Sequence, residues 1–110
     1  MSDIERMISE FRAEADIDFL EVPFIAESLR EHLCLRGQEE IRRCTLDVIE
    51  RLMALGVYPG DYDYATTMSF WPGEPGDLLK RIEGEWIAIG KTPTSAEPIC
   101  WFGLKRSEPV

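Results

Sequence analysis

The sequence predicts a single, mainly α domain over residues 1–110, with about four helices. A short strand pair or extended segments near residues 62–71 and 99–104 would pack on them, and an α+β arrangement is the alternative. Three observations point there. Four stretches repeat apolar residues at helical spacing. Clusters of Gly and Pro break that pattern between the third and fourth stretches. The length, 110 residues, is the usual size of one domain. A folded chain of this size buries about 65% of its extended surface and needs neither metal nor cross-links to hold together.

The first helix starts at the capping box Ser2-Asp3-Ile4-Glu5 and runs to about Ala15, with Ile4, Met7, Ile8, Phe11 and Ala15 on one face. An acidic joint, Asp16 to Glu21, reads as a solvated hinge. Pro23 suits the first turn of a second helix that carries Phe24, Ile25, Leu29 and Leu33 and ends before Gly37. The third helix, Gln38 to Leu55, has the strongest pattern: Ile41, Cys44, Thr45, Val48, Ile49, Leu52 and Met53 share a face, and Gly56 stops it. Glu39 with Arg43 and Asp47 with Arg51 are spaced to pair on its other side.

From Val57 to Gly76 helical periodicity is lost. Pro59-Gly60-Asp61 and Pro72-Gly73-Glu74-Pro75-Gly76 read as turns, and Tyr62 to Trp71 between them suits a strand or an extended loop. Asp77 can cap a fourth helix whose stripe is Leu78, Leu79, Ile82, Trp86 and Ile89, with Gly90 as its stop. The run Ile99 to Leu104 is too short for a helix and reads as a buried strand. Trp86 and Trp101 are assigned to the core.

Charge excludes several functions. Twelve Lys and Arg against 21 Asp and Glu leave a net charge of −9. Nucleic acids and anionic membranes would be repelled, whereas a basic protein partner is favoured. Three cysteines without CxxC spacing suit a reducing compartment, and no secretory signal or membrane-spanning run is visible, so the cytoplasm is expected.

No chemical motif is complete. The sole histidine, His32, lies two residues from Cys34, so no zinc ligand set forms. Cys44 and Cys100 read as core packing. Asp61 and Asp63 resemble the start of a calcium loop, but Ala65 and Pro72 occupy later ligand positions. Gly90-Lys91-Thr92 imitates a phosphate loop, yet Glu85 stands where its first glycine belongs and the segment ends a helix. Glu83 and Glu85 diverge on one helix and cannot work as an acid–base pair. No enzyme activity, metal or cofactor is therefore expected.

Negative charge is segregated instead. Ala13–Leu29 and Leu52–Leu79 contain no Lys or Arg, and the second window also holds Tyr58, Tyr62, Tyr64, Phe70 and Trp71. Aromatic anchors beside acids suit a protein contact that recruits a cationic partner. The candidate partner-binding residues are Asp61, Tyr62, Asp63, Tyr64, Trp71, Glu74 and Asp77, although plain core packing is the favoured reading of Phe70 and Trp71.

Several features of Glu40–Leu104 carry a family resemblance. They are the helix end Leu52-Met53-Ala54-Leu55-Gly56, the Gly60-Asp61 step, Phe70-Trp71, Leu79 to Ile82, Trp86, Gly90, Pro93 and Ile99-Cys100-Trp101-Phe102. In these the chain resembles small acidic bacterial immunity proteins of polymorphic-toxin and contact-dependent growth-inhibition systems. The resemblance implies a cytoplasmic protein that binds one cognate toxin domain and blocks its active site without catalysis. It carries over a scaffold, not a binding site, and leaves out the first two helices. The acidity suits a basic nuclease as the toxin. Two competing readings are a non-catalytic adaptor or regulatory module with a small-molecule pocket beside Trp71 and Trp86, and a small hydrolase using Asp61 or Glu83.

Overall fold

The computed structural model describes residues 2–62 and 68–105. It is an α+β fold, the alternative rather than the mainly α arrangement: four helices and a four-stranded antiparallel sheet. The helices are α1 (Asp3–Ile17), α2 (Val22–Leu33), α3 (Gln38–Ala54) and α4 (Pro75–Ile89); the strands are β1 (Leu20–Glu21), β2 (Val57–Tyr62), β3 (Met68–Phe70) and β4 (Trp101–Leu104).

The helices follow their sequence signals closely. Ser2 caps α1, its Oγ accepting from the Glu5 amide at 3.2 Å. The helix runs two residues past Ala15, because the Asp18 amide still donates to the Glu14 carbonyl at 2.8 Å. Gly90, at φ 78°, ends α4 in the left-handed conformation that a residue without Cβ adopts at little cost. Asp77 does not cap α4; Glu74 holds that position and Asp77 sits in the first turn, where the helix dipole favours a carboxylate. The Glu39–Arg43 and Asp47–Arg51 pairs do not close. Ion pairs form instead at Arg6–Asp3, Arg30–Glu27 and Arg81–Glu85. Exposed pairs gain so little that side-chain entropy decides which ones close.

Two expectations of the loops are corrected by long-range pairing. The acidic joint is no free hinge, since Leu20, only 2% exposed, and Glu21 form β1 and pair with Phe102 and Trp101 of β4. Pro59-Gly60-Asp61 is no turn and lies inside β2, between β4 and β3. A proline in a central strand normally costs a ladder bond. Here the Pro59 carbonyl accepts from the Trp71 amide at 3.0 Å, so its donorless nitrogen also faces the β3 side, just beyond the last residue of that strand. No bond to β4 is lost.

The sheet order is β1-β4-β2-β3. Val57, Pro59, Phe102 and Leu20 occupy its inner face, all buried. The stripe of α3 meets that face with Ile49 and Leu52, neither of which is exposed, while Ile25 and Leu29 of α2 and Ile82 and Trp86 of α4 close around it. Thr45 is buried with them and its hydroxyl donates to the Ile41 carbonyl at 2.7 Å.

Gly60 is dictated by proximity. A Cβ there would meet the Ser69 carbonyl oxygen and stand 2.9 Å from the Phe70 Cα. Both obstacles are backbone and cannot swing away. Gly84, by contrast, lies within α4, and a Cβ added there would meet nothing within 4 Å. Gly60→Ala is expected to lower unfolding free energy by about 2–3 kcal/mol, and Gly84→Ala to raise it by about 0.5–1 kcal/mol. Urea titration of the two variants checks both signs.

Candidate partner-binding site

Helices cover one side of the sheet, and the alternation of strand residues decides what the other side carries. Tyr58, Gly60 and Tyr62 of β2 point opposite to Val57 and Pro59. Register brings Phe70 beside Gly60, Trp101 beside Gly60 and Glu21, and Gly103 beside Tyr58. Phe19, one residue before β1, falls on the same side. The outer face therefore carries five rings, Phe19, Tyr58, Tyr62, Phe70 and Trp101, all half-buried.

These rings touch. Phe19 and Tyr62 lie 4.8 Å apart between centroids, and Tyr62 meets Trp101 edge-on at 6.2 Å. Gly103 provides the seat: a Cβ there would come within 3.1 Å of the Phe19 ring and 3.7 Å of Phe70. At the far end Lys105 holds its ammonium 5.2 Å from the Tyr58 ring and 5.9 Å from Phe70. The β1 side of this aromatic platform is acidic. Phe19 lines one shallow groove with Asp16 and Asp18, and a second with Glu14, Glu21 and Phe24.

A strained turn delivers Trp101. Ile99 has φ 68°, left-handed and rare for a β-branched residue, and the Cys100 amide donates to the Pro98 carbonyl at 2.7 Å across it. This tight three-residue turn is intrinsically unfavourable. It sets the phase of β4, with Cys100 and Phe102 inward and Trp101 outward.

The residues singled out from sequence are dispersed. Tyr62 lies on the platform. Asp61, next in sequence, is exposed but has the opposite parity, on the helix side of β2. Trp71 is buried rather than open on a surface: it is 4% exposed, and the Arg81 guanidinium stacks 3.4 Å from its ring centroid. Its indole N–H has no hydrogen-bond partner among the described residues. Glu74 and Asp77 are exposed at the start of α4. Asp63 and Tyr64 lie outside the described residues. Trp101, assigned to the core from sequence, is half-exposed, whereas Trp86 is buried at 2%. Trp71 and Trp86, beside which the adaptor reading expects a small-molecule pocket, are thus both core residues.

Sequence reasoning missed Phe19, Trp101 and the acidic role of Glu21. The only local signal was the short alternation Phe19-Leu20-Glu21, too brief to separate a strand from a linker.

Two of the three thiols, Cys44 and Cys100, are poorly suited to nucleophilic work. Burial pushes the Cys44 thiol upward, with Asp47 and Glu40 adding to the effect. Burial pushes Cys100 far higher, reinforced by Glu85 and Asp61. Both therefore stay protonated at neutral pH. Among the described residues no group of three His, Cys, Asp or Glu is placed to hold a metal ion, and no helix is long and apolar enough to cross a membrane.

Comparison of the chain with protein-family models, curated proteins and solved structures finds no match. Its chemistry is therefore read from its own residues.

Cys100 gives a pH signature. Its thiol resists ionisation when folded but ionises near its ordinary value, 9.0, when unfolded. The stability this contributes is complete below that pH and is lost progressively as pH rises above it. Unfolding free energy is expected to fall above about pH 9 by up to ~1.4 kcal/mol per pH unit from this group. Cys100→Ala should flatten the slope, measured as the pH dependence of the urea midpoint in both proteins.

Proposed function

We propose that the chain is a cytoplasmic immunity protein that binds a basic toxin domain, such as a nuclease, through the outer face of the sheet and blocks its active site. The observation that carries this reading is the platform of five half-exposed rings, flanked along β1 by carboxylates. A folded domain leaves so contiguous an aromatic surface open at the cost of solubility, and such surfaces mark binding sites. Tyr and Trp suit that role because they bury large areas while ordering few torsions.

Electrostatics selects the partner. The chain carries −9, and the segment Ala13–Leu29, which supplies Phe19 and Glu21, contains no Lys or Arg. A basic enzyme that binds polyanionic substrate presents cations around its active site. The acidic rim attracts that surface, and the rings then exclude water and substrate from it. Blocking by occupancy needs no catalytic group.

The test asks first whether the gene immediately upstream encodes a large secreted protein with a basic C-terminal domain, and then whether that domain purifies with this chain, with binding kinetics and an activity assay of the domain to follow. Tyr62→Ala and Trp101→Ala are each expected to weaken binding by about 2–3 kcal/mol, chiefly through faster dissociation. Asp18→Asn with Glu21→Gln should slow association and flatten its salt dependence. Wild-type affinity in both ring variants would reject the platform as the binding surface.

A further inference from the structure

Beyond the platform, α1 and α2 enclose a groove of about 260 Å³. Its aromatic side is an edge-to-face pair, Phe11 and Phe24, with centroids 6.0 Å apart at 78°. Phe11 is buried, but Phe24 remains 51% exposed, one of the largest apolar exposures in the described chain. The groove is also lined by Glu10, Glu14 and His32. The His32 Nδ1 lies 2.8 Å from the Ser28 carbonyl, to which it donates.

Glu10 and Glu14 stand one turn apart on α1, a spacing at which like charges repel. Among the described residues neither has a cation within 4 Å. The nearby bases are engaged elsewhere: Arg6 pairs with Asp3 at 2.9 Å, and Arg30 with Glu27 and, at 3.8 Å, Glu31. The groove thus combines two uncompensated carboxylates with an exposed phenyl face.

Size and chemistry together select the occupant. Small-molecule sites generally enclose about 300–1,000 Å³, so this groove suits one long side chain delivered by a larger body. A planar guanidinium can stack on a ring and bridge carboxylates at once, which a compact ammonium does less well. The groove is also continuous with the platform. A smaller groove between them, about 150 Å³, shares Glu14 and Phe24 with the first and includes Phe19, which touches Tyr62.

We propose that the α1–α2 groove is a second anchor point, taking one arginine side chain of the cationic partner between Glu10, Glu14 and Phe24. This inference rests on the reading that the partner is a basic protein, and it gives the first two helices a role in recognition.

The test uses the intact protein and a fluorescein-labelled octapeptide of alternating leucine and arginine, with a leucine–glutamate peptide as the counter-charge probe. Affinity is read by anisotropy and location by amide chemical shifts. The arginine peptide is expected to bind and to shift amides over residues 7–14 and 24–32, while the glutamate peptide does not bind. Glu10→Gln with Glu14→Gln should weaken binding about tenfold, and Glu39→Gln with Glu40→Gln, the same charge change on α3, by less than about twofold. All four carboxylates are exposed, so folding is preserved. Equal weakening by the two pairs, shifts confined to the platform, or no binding of the arginine peptide would each overturn the groove assignment. None of these touches the platform reading, which fails separately if Tyr62→Ala and Trp101→Ala leave toxin-domain binding intact.

Discussion

The structure depends on the insertion of β4 between β1 and β2. Phe102, fully buried, pairs with Leu20 on one side and Pro59 on the other, so the last strand joins the amino-terminal joint to the middle of the chain. A two-residue strand such as β1 has no stability alone. Its position comes from β4, and so does that of α2, which begins at the next residue. These contacts span most of the sequence, and their loop-closure entropy is recovered only when the inner face of the sheet meets α3. The Gly56 carbonyl, accepting from the Lys105 amide at 2.7 Å, ties off the same seam at the end of α3.

All four helices gather on one side, and the open aromatic face follows from that asymmetry. An antiparallel sheet covered on one face usually turns polar residues to water on the other. Here the outer positions are filled by Phe19, Tyr58, Tyr62, Phe70 and Trp101, with Gly60 and Gly103 leaving room for the rings to lean together. The strain at Ile99 stands at the entry to this face. The alternation of β4 starts from that turn, and a shift of one residue would exchange buried Phe102 with Trp101. Strain held in place by surrounding packing is commonest beside functional surfaces.

The α4 side of the sheet is built differently. Arg81 stacks over Trp71 and pairs with Glu85 at 3.3 Å, covering the ring of a residue also offered by sequence as a contact candidate. A long arginine stem can shield apolar area while its head stays in water. The two sheet faces thus treat neighbouring aromatics in opposite ways: Trp71 is sealed by a cation of its own chain, and Phe70 is left half-open. That contrast separates a core tryptophan from an open aromatic face more clearly than composition does.

The helices were legible in the sequence because their information is local. Spacing of Met7, Ile8, Phe11 and Ala15, the Ser2 cap and the Gly90 stop each act within a few residues; α1 and α3 formed within two residues of their signals, and α4 stopped at Gly90 but is capped at Glu74, three residues before the cap expected at Asp77. The acidity and the absence of bases from Ala13–Leu29 were equally plain. Tertiary structure alone decided that Pro59-Gly60-Asp61 is strand rather than turn, that the Asp16–Glu21 joint supplies a sheet edge, and that Trp101 faces out while Trp71 faces in. Each of those depends on a partner strand distant in sequence. A strand's hydrogen bonds and exposed face belong to the pair, so no single segment encodes them.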